Sequence, residues 1–272
     1  DREKYDAVHV NMLTAANILP LSIAHRVGVP RIIAHSHNSD TEFWYKKLLH
    51  HINKHKVGRF ATDYFACGEA AAVWLFPKSV IQSGSYKIVN NALRLSAFQY
   101  DPAGRARYRE ALGFSREHFV ICHIGRMEPQ KNHSFLLDVF QQVYTRCPEA
   151  RLLLVGDGYQ MSEVKQKAEG QGLSDYIRFL GRRDDIPALL NASDAFCLPS
   201  LFEGFGIVTV EAQAAGLPCV VSDTVPAETR FTEHYVRIPL TAGPANWAEE
   251  LLAFRSVVRT AESIASAQEN IR

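Results

Sequence analysis

The sequence predicts an α/β fold with parallel sheets covered by helices on both faces. Short apolar runs such as 119–124 (FVICHI), 151–155 (RLLLV) and 219–222 (CVVS) read as strands buried on both sides. Helix-length segments alternate with them along the chain, the pattern of parallel strands joined by crossovers. Several runs end in glycine or a burst of polar residues, where an open α/β sheet presents its ligand crevice.

At 272 residues the chain has room for one large or two ordinary domains, each with its own core. A formal net charge of +1 gives no whole-molecule field that would collect nucleic acid. The five cysteines (Cys67, Cys122, Cys147, Cys197, Cys219) form no CxxC pair, and several lie inside apolar runs. They predict buried, reduced thiols in a cytoplasmic protein, with neither a zinc site nor a disulfide framework. No apolar run reaches membrane-spanning length, and no signal peptide is visible. The chain opens at Asp1 almost directly in a strand and reads as a piece of a longer protein.

Residues 5–10 (YDAVHV) predict the first strand and 14–27 the helix after it, closed by Gly28 and Pro30. Residues 31–34 (RIIA) start the next strand, which runs into His35-Ser36-His37-Asn38-Ser39-Asp40. His35 therefore stands past a strand's carboxyl end, with His37 on the same side by the strand period of two. Two histidines one residue apart can also ligate a metal, yet no helical HxxxH or carboxylate cluster supplies further ligands.

Residues 42–60 predict a helix that is basic on balance. Lys46, Lys47, Lys54, Lys56 and Arg59 are joined by His50, His51 and His55, and Leu48, Leu49 and Ile52 make an apolar stripe. Such a helix is either an ordinary solvated face or one that lies on anionic lipid. A strand over 61–67 (ATDYFAC) follows, then a small helix through Trp74 and Phe76 and a strand edge at 88–91. Over 101–113 the pattern turns charged and helical, with Pro102 in the first turn. This places a domain boundary near Phe98, dividing the chain into 1–97 and 98–272.

The second domain opens with 119–124, which runs into Gly125-Arg126-Met127-Glu128-Pro129-Gln130-Lys131-Asn132. This turn sets two cations, Arg126 and Lys131, beside a helix start. They suit a diphosphate whose charge grows as its bond breaks. A helix over 135–144 and a strand over 151–155 follow, ending in Gly156-Asp157-Gly158. A lone GDG is not the GxGxxG fingerprint, so hydride transfer on a dinucleotide is set aside. A short strand at 177–180 precedes Gly181, and a short helix spans 186–191.

A strand at 194–198 (DAFCL) leads to the most informative stretch, 199–218 (PSLFEGFGIVTVEAQAAGLP). Glu203 and Glu211 are separated there by seven residues, across a Gly-Phe-Gly loop and the first turn of a helix over 207–215. Backbone N–H groups of Gly204, Phe205 and Gly206 at an open helix start would seat phosphate. Two carboxylates would repel it, so they are expected to accept hydrogen bonds from sugar and ribose hydroxyls. The same acids also fit ordinary placement near a helix start. Beyond Asp223 the signals thin, though 247–258 reads as a terminal helix.

The segments AHSHN (34–38), ATDYFACGEAAAVWLF (61–76), VNNA (89–92), GRMEPQKN (125–132), LLLVGDG (152–158), FLG (179–181) and 199–218 together carry a resemblance. The chain resembles the retaining glycosyltransferases of family 4, whose GT-B architecture has two Rossmann-like domains. It is most similar to the branch that builds exopolysaccharide and capsule. The resemblance covers nearly the whole chain, and its most specific part is the Glu-x7-Glu motif of Glu203 and Glu211.

That resemblance implies roles for particular residues. Glu211 would hold the ribose hydroxyls, and Glu203 the donor sugar. Gly204, Phe205 and Gly206 would offer N–H groups to the sugar or phosphates. Arg126 and Lys131 would neutralise the diphosphate, and Leu180 lies in the segment that lines the base pocket. His35 would stand near donor sugar and acceptor, with His37 as the alternative one strand step away.

The resemblance also implies catalysis without a nucleotide-bound metal or other cofactor, by front-face displacement. The expected donor is a UDP-sugar. The expected acceptor is a saccharide or lipid-linked saccharide at the cytoplasmic membrane face, where the basic helix would make peripheral contact. Family members begin with a strand and a glycine-rich loop and end with a helix that returns to the first domain. An incomplete N-terminal domain is therefore expected here, with nucleotide binding kept and turnover weak or absent. Two further readings stay open: a sugar-nucleotide 2-epimerase on the same architecture, and a metal-dependent hydrolase built on His35 and His37.

Overall fold

The computed structural model describes residues 4–271, and the chain divides into two compact units. The first runs to Ala92 and also takes in Phe202–Phe205; the second holds Leu93–Leu201 and the residues from Gly206 onward. The division falls a few residues before the expected 97/98 boundary. Leu93, Leu95 and Phe98 pack against the second unit's core, and this draws the segment to that side.

In the first unit β1 (Ala7–Met12), β2 (Arg31–Ser36), β3 (Asp63–Ala66) and β4 (Lys87–Ile88) lie side by side in that order, all parallel. Helices α1 (Leu19–Arg26), α2 (Trp44–Phe60), α3 (Glu69–Leu75) and α4 (Lys78–Gln82) provide the crossovers. Leu21, Ile32, Leu75 and Phe76 are fully buried at the centre.

The apolar stripe of α2 does not turn inward. His50 and Val57, seven positions apart on one face, are its buried residues. Leu48, Leu49 and Ile52 remain 56%, 43% and 49% exposed, and Trp44 is 76% exposed. The inward face is fixed by polar contacts. His50 stacks on Trp74 at 3.8 Å between centroids, and its Nδ1 accepts the Ala15 N–H at 3.0 Å.

The first α-helix of the second unit is α5 (Pro102–Ala111), whose N-cap Asp101 accepts the Gly104 N–H at 2.8 Å. Six parallel strands follow: β5 (Phe119–Ile124), β6 (Ala150–Val155), β7 (Ile177–Phe179), β8 (Ala195–Leu198), β9 (Cys219–Ser222) and β10 (Tyr235–Ile238). Their spatial order is β10-β9-β8-β5-β6-β7. The helices are α6 (His133–Arg146), α7 (Met161–Gly170), α8 (Ile186–Ala192), α9 (Ile207–Ala214), α10 (Gly243–Ala253) and α11 (Ala261–Ile271).

The chain thus walks from β5 to one edge at β7, then returns with β8 on the other side of β5. That reversal is a topological switch point. β5 sends Phe119 and Ile121 into one core, and Val120, Cys122 and Ile124 into the other. Burial on both faces is why its sequence shows no polar alternation. All five cysteines are buried and unbridged.

Three elements lie where the sequence pattern is weak: α7, β10 and α11. The expected terminal helix is α10, which starts earlier, at Gly243 with a proline in its first turn, and stops at Ala253. A single turn at Phe254–Ser256 separates it from α11, which buries Ile264 and Ala267.

Candidate functional site

In the second unit the strand exits at the carboxyl edge are tied together by backbone contacts. The β5 exit carries Gly125 to Asn132, and the β6 exit carries Gly156-Asp157-Gly158. Met127 N–H donates to the Asp157 carbonyl at 2.9 Å, and Gln160 N–H to the Met127 carbonyl at 3.1 Å. A Cβ on Gly156 would stand 2.0 Å from the Gly125 carbonyl oxygen, and one on Gly158 would stand 2.4 Å from that of Met127. The glycines of the GDG sequence therefore serve loop-on-loop packing. Gly156 N–H continues the rim by donating to the Gly181 carbonyl at 2.8 Å.

On the other side of the switch point the β8 exit joins the same rim. Leu201 N–H donates to the Gln130 carbonyl at 2.8 Å, which sets the 199–201 turn beside the turn that holds Lys131. Arg126 is 60% exposed at the side chain and pairs with Glu128 at 2.9 Å. Such a surface pair contributes only about 0–1 kcal/mol, so an incoming dianion can displace the carboxylate. Lys131 ends a 3₁₀ turn, and Asn132 follows in the left-handed region at φ 54° as the N-cap of α6. It is the one non-glycine residue with positive φ among the described residues. Asparagine tolerates that conformation best among side chains of its size.

Gly206, at φ 80°, is the N-cap of α9, with no side chain capping the helix start. The first N–H groups of an α-helix, the cap's included, lack i→i−4 partners; Thr209 N–H donates to the Gly206 carbonyl at 2.9 Å, so the donors open to a ligand are those ahead of it. Gly204 and Phe205 immediately precede the cap and group with the first unit. Glu211, one turn into α9, is half-buried, and burial raises its carboxyl above the usual range. Leu180 is half-buried beyond β7, packed on the same core as β8 and α9.

Beneath the rim are buried polar groups that the sequence reading does not single out. His123 Nδ1 lies 2.9 Å from the Cys197 carbonyl oxygen, and its ring meets that of His133 at 4.6 Å between centroids. His123 Nε2, His133 Nδ1 and Ser200 Oγ have no hydrogen-bond partner among the described residues. Burial, with the nearby Lys131 charge, lowers the His133 pKa to about 4.

In the first unit the β2 exit gathers three histidines on one sheet face. His9 Nε2 lies 3.0 Å from His35 Nδ1, and His37 Nε2 lies 2.9 Å from Asn11 Oδ1. His35 is 7% exposed, and its ring centroid is 4.0 Å from that of His37. Burial, followed by its two histidine neighbours, lowers the His35 pKa to about 4, so it is neutral at physiological pH. Neither His9 nor Asn11 stands out in the sequence: His9 reads as an ordinary strand residue, and Asn11 lies just past the expected strand, which in the structure runs on to Met12. The register that pairs Asn11 with His35 reveals them. Among the described residues no group of three His, Cys, Asp or Glu is arranged to hold a metal ion.

Phe202–Phe205 complete this unit. Ser39 Oγ donates to the Glu203 carbonyl at 2.6 Å, and Phe205 packs on the unit's core. A Cβ on Gly204 would stand 2.2 Å from the His37 carbonyl oxygen, so only glycine admits this approach. Glu203 is buried, at 6% exposure.

Residues 118–254 match the family model described as Glycosyl transferases group 1. The chain is 33% identical over 253 residues to EpsF of Bacillus subtilis (strain 168), whose name proposes a glycosyltransferase; the match covers 91% of this chain and 65% of that one. It is 28% identical over 228 residues to the UDP-Gal:alpha-D-GlcNAc-diphosphoundecaprenol alpha-1,3-galactosyltransferase of Escherichia coli, covering 82% and 59%. Anabaena HepE, in a crystal structure with UDP-glucose, aligns with a TM-score of 0.81 at 26% identity, covering 97% of this chain and 73% of that one. The chain thus spans less than two thirds of the length of the two sequence relatives named.

Proposed function

The chain belongs to the group 1 glycosyl transferases, and from that premise we propose that it transfers a sugar from a nucleoside diphosphate to a saccharide or lipid-linked saccharide. Its parallel sheets form a GT-B-like fold of two Rossmann-like halves. The observation that carries the reading is the switch point between β5 and β8, whose exits bring Arg126, Lys131 and the uncapped start of α9 to one rim. Positive charge and free N–H groups there are what a departing diphosphate needs.

Within this reading the roles follow the chemistry of each group. Arg126 leaves Glu128 to neutralise phosphate, and Lys131 supplies a second cation. Glu211 accepts hydrogen bonds from the ribose hydroxyls, with Leu180 near the base. Glu203 and the Gly204–Gly206 backbone address the donor sugar, and His35 approaches the sugar and acceptor. The cations and α9 supply positive charge that other folds take from a metal, so the reaction is read as metal-independent. Displacement on the front face would retain the anomeric configuration.

UDP is the favoured carrier. The HepE structure holds UDP-glucose, and the Escherichia coli relative is named for UDP-Gal and a diphosphoundecaprenol acceptor. Those names and that of EpsF fit assembly of a cell-surface polysaccharide, and the proposed place of that assembly is the cytoplasmic face of the membrane. Among the described residues no helix is long and apolar enough to cross a membrane. Contact with anionic lipid is assigned to α2, whose exposed Trp44, Leu48 and Ile52 accompany its lysines.

Calorimetric titration with UDP, GDP, ADP and NAD in the presence of chelator tests the donor site. UDP is expected to bind without metal, and Glu211→Ala to weaken it by about 10- to 100-fold, the loss of hydrogen bonds to a charged acceptor. Equal binding of UDP by the variant would remove Glu211 from the site. Binding of no diphosphate would count against the transferase reading of this chain.

A further inference from the structure

The β1–β2 register places Asn11 opposite His35, so His9 is the diagonal neighbour of His35 on the same sheet face. Their rings stack at 5.2 Å with a 19° interplanar angle, and Phe65 meets both edge-on. One proton lies on the 3.0 Å line between His9 Nε2 and His35 Nδ1.

Two arrangements are possible. If His9 donates, both rings carry their proton at Nε2, the form that histidine favours in water. If His35 donates, both are forced into the less stable Nδ1–H form. Should His9 take a second proton, both its nitrogens become donors, and donation again runs toward His35.

We propose that His9 is a positioning residue that holds His35 as the Nε2–H tautomer, so that His35 meets the substrate as a hydrogen-bond donor and not as a base. His35 Nε2 is buried and has no hydrogen-bond partner among the described residues. An N–H in that position calls for an acceptor oxygen, which a sugar or phosphate provides. His37 does not compete for it, since its own Nε2 is engaged by Asn11. The low pKa of His35 keeps a second proton off the ring at neutral pH. The role toward substrate rests on the glycosyl-transfer reading; the tautomer does not.

Long-range nitrogen–proton correlation spectra of this chain, labelled with ¹⁵N-histidine and without ligand, read the tautomer directly. His35→Gln identifies the resonances. His35 is expected to show a pyridine-type Nδ1 and a pyrrole-type Nε2. His9→Phe keeps a stacked ring but no donor, and should give a mixture of tautomers. His9→Gln, whose amide N–H reaches the same place, should restore a single form. A pyrrole-type Nδ1 in the unaltered chain, or an unchanged tautomer in folded His9→Phe, overturns the proposal. If His9→Phe does not fold, the unaltered spectrum decides alone. In the enzyme, His9→Phe should lower kcat about tenfold with UDP affinity unchanged, and His9→Gln should recover it. An unaltered kcat in His9→Phe overturns the positioning role. Because the spectra need no donor, their failure and a failure of UDP binding are separate results.

Discussion

Gly156 sits at φ 135° with no room for a side chain, because the Gly125 carbonyl oxygen occupies the place of a Cβ. Gly156→Ala must part the β6 exit from the β5 exit, the one that carries Arg126 and Lys131. Overpacking of this kind costs on the order of 1–3 kcal/mol. The expected result is a thermal midpoint lower by several degrees, together with weaker UDP binding. Gly170 gives the contrast, since it lies in α7 with nothing within 4 Å of where a Cβ would stand. Gly170→Ala should be neutral or stabilise by about 0.5–1 kcal/mol. Scanning calorimetry of both variants checks the pair; equal effects would show that loop packing at Gly156 is not what constrains it. Residue type at such positions is written in the sequence, but its reason is not. The GDG run is plain to read, whereas the partner that demands it lies some thirty residues earlier, on another strand exit.

α2 shows how an element's pattern can be read in the sequence while the face that it buries cannot. The basic residues and the Leu48, Leu49, Ile52 stripe are visible in sequence, yet the stripe faces solvent. His50 takes the inward place because its Nδ1 accepts a backbone N–H and its ring stacks on Trp74. If this face meets anionic lipid, charge reversal at Lys46, Lys47 and Lys56 should reduce flotation with phosphatidylserine vesicles at least tenfold and leave neutral vesicles unaffected. Unchanged flotation would sink the assignment. Each juxtamembrane lysine is worth roughly 1 kcal/mol at such a surface, so three reversals exceed the scatter. α8 is ordered by another long-range device. Arg105, Arg109 and Arg259 converge on the carbonyl groups at its C-terminal end, with Asp194 as the carboxylate for the first two. Cations at a helix C-terminus offset its dipole.

Across the molecule, buried neutral histidines link stability to pH. His35, His50 and His133 each have a pKa lowered to about 4, chiefly by burial. Their unfolded value is about 6.5. Between these values the unfolded chain binds more protons than the folded one, so stability is full above about 6.5 and falls as pH drops toward 4. Urea midpoints should decline over that window. His50→Asn, which keeps an acceptor near the Ala15 N–H and does not titrate, should flatten the decline. An unchanged slope would show that His50 does not contribute.

The sequence by itself determined the alternation of parallel strands and helices, and it marked the strand exits where chemistry belongs. β5 and β9 were legible because strands buried on both faces must be apolar throughout. The Glu203–Glu211 spacing was legible because a glycine loop and helix start are local features. α7, β10 and α11 were not, since each buries only a few residues and takes its place from packing: α11, for example, is held by Ile264 and by Gln268 bonded to the Phe98 and Ala214 carbonyls. Tertiary structure alone decided the strand order that puts Arg126, Lys131 and α9 at one switch point. It alone set His9 against His35, grouped Phe202–Phe205 with the first unit, and left the α2 stripe exposed. The physical reason is that hydrophobic period and turn chemistry act over a few residues, whereas register and close backbone approach join residues far apart in the chain.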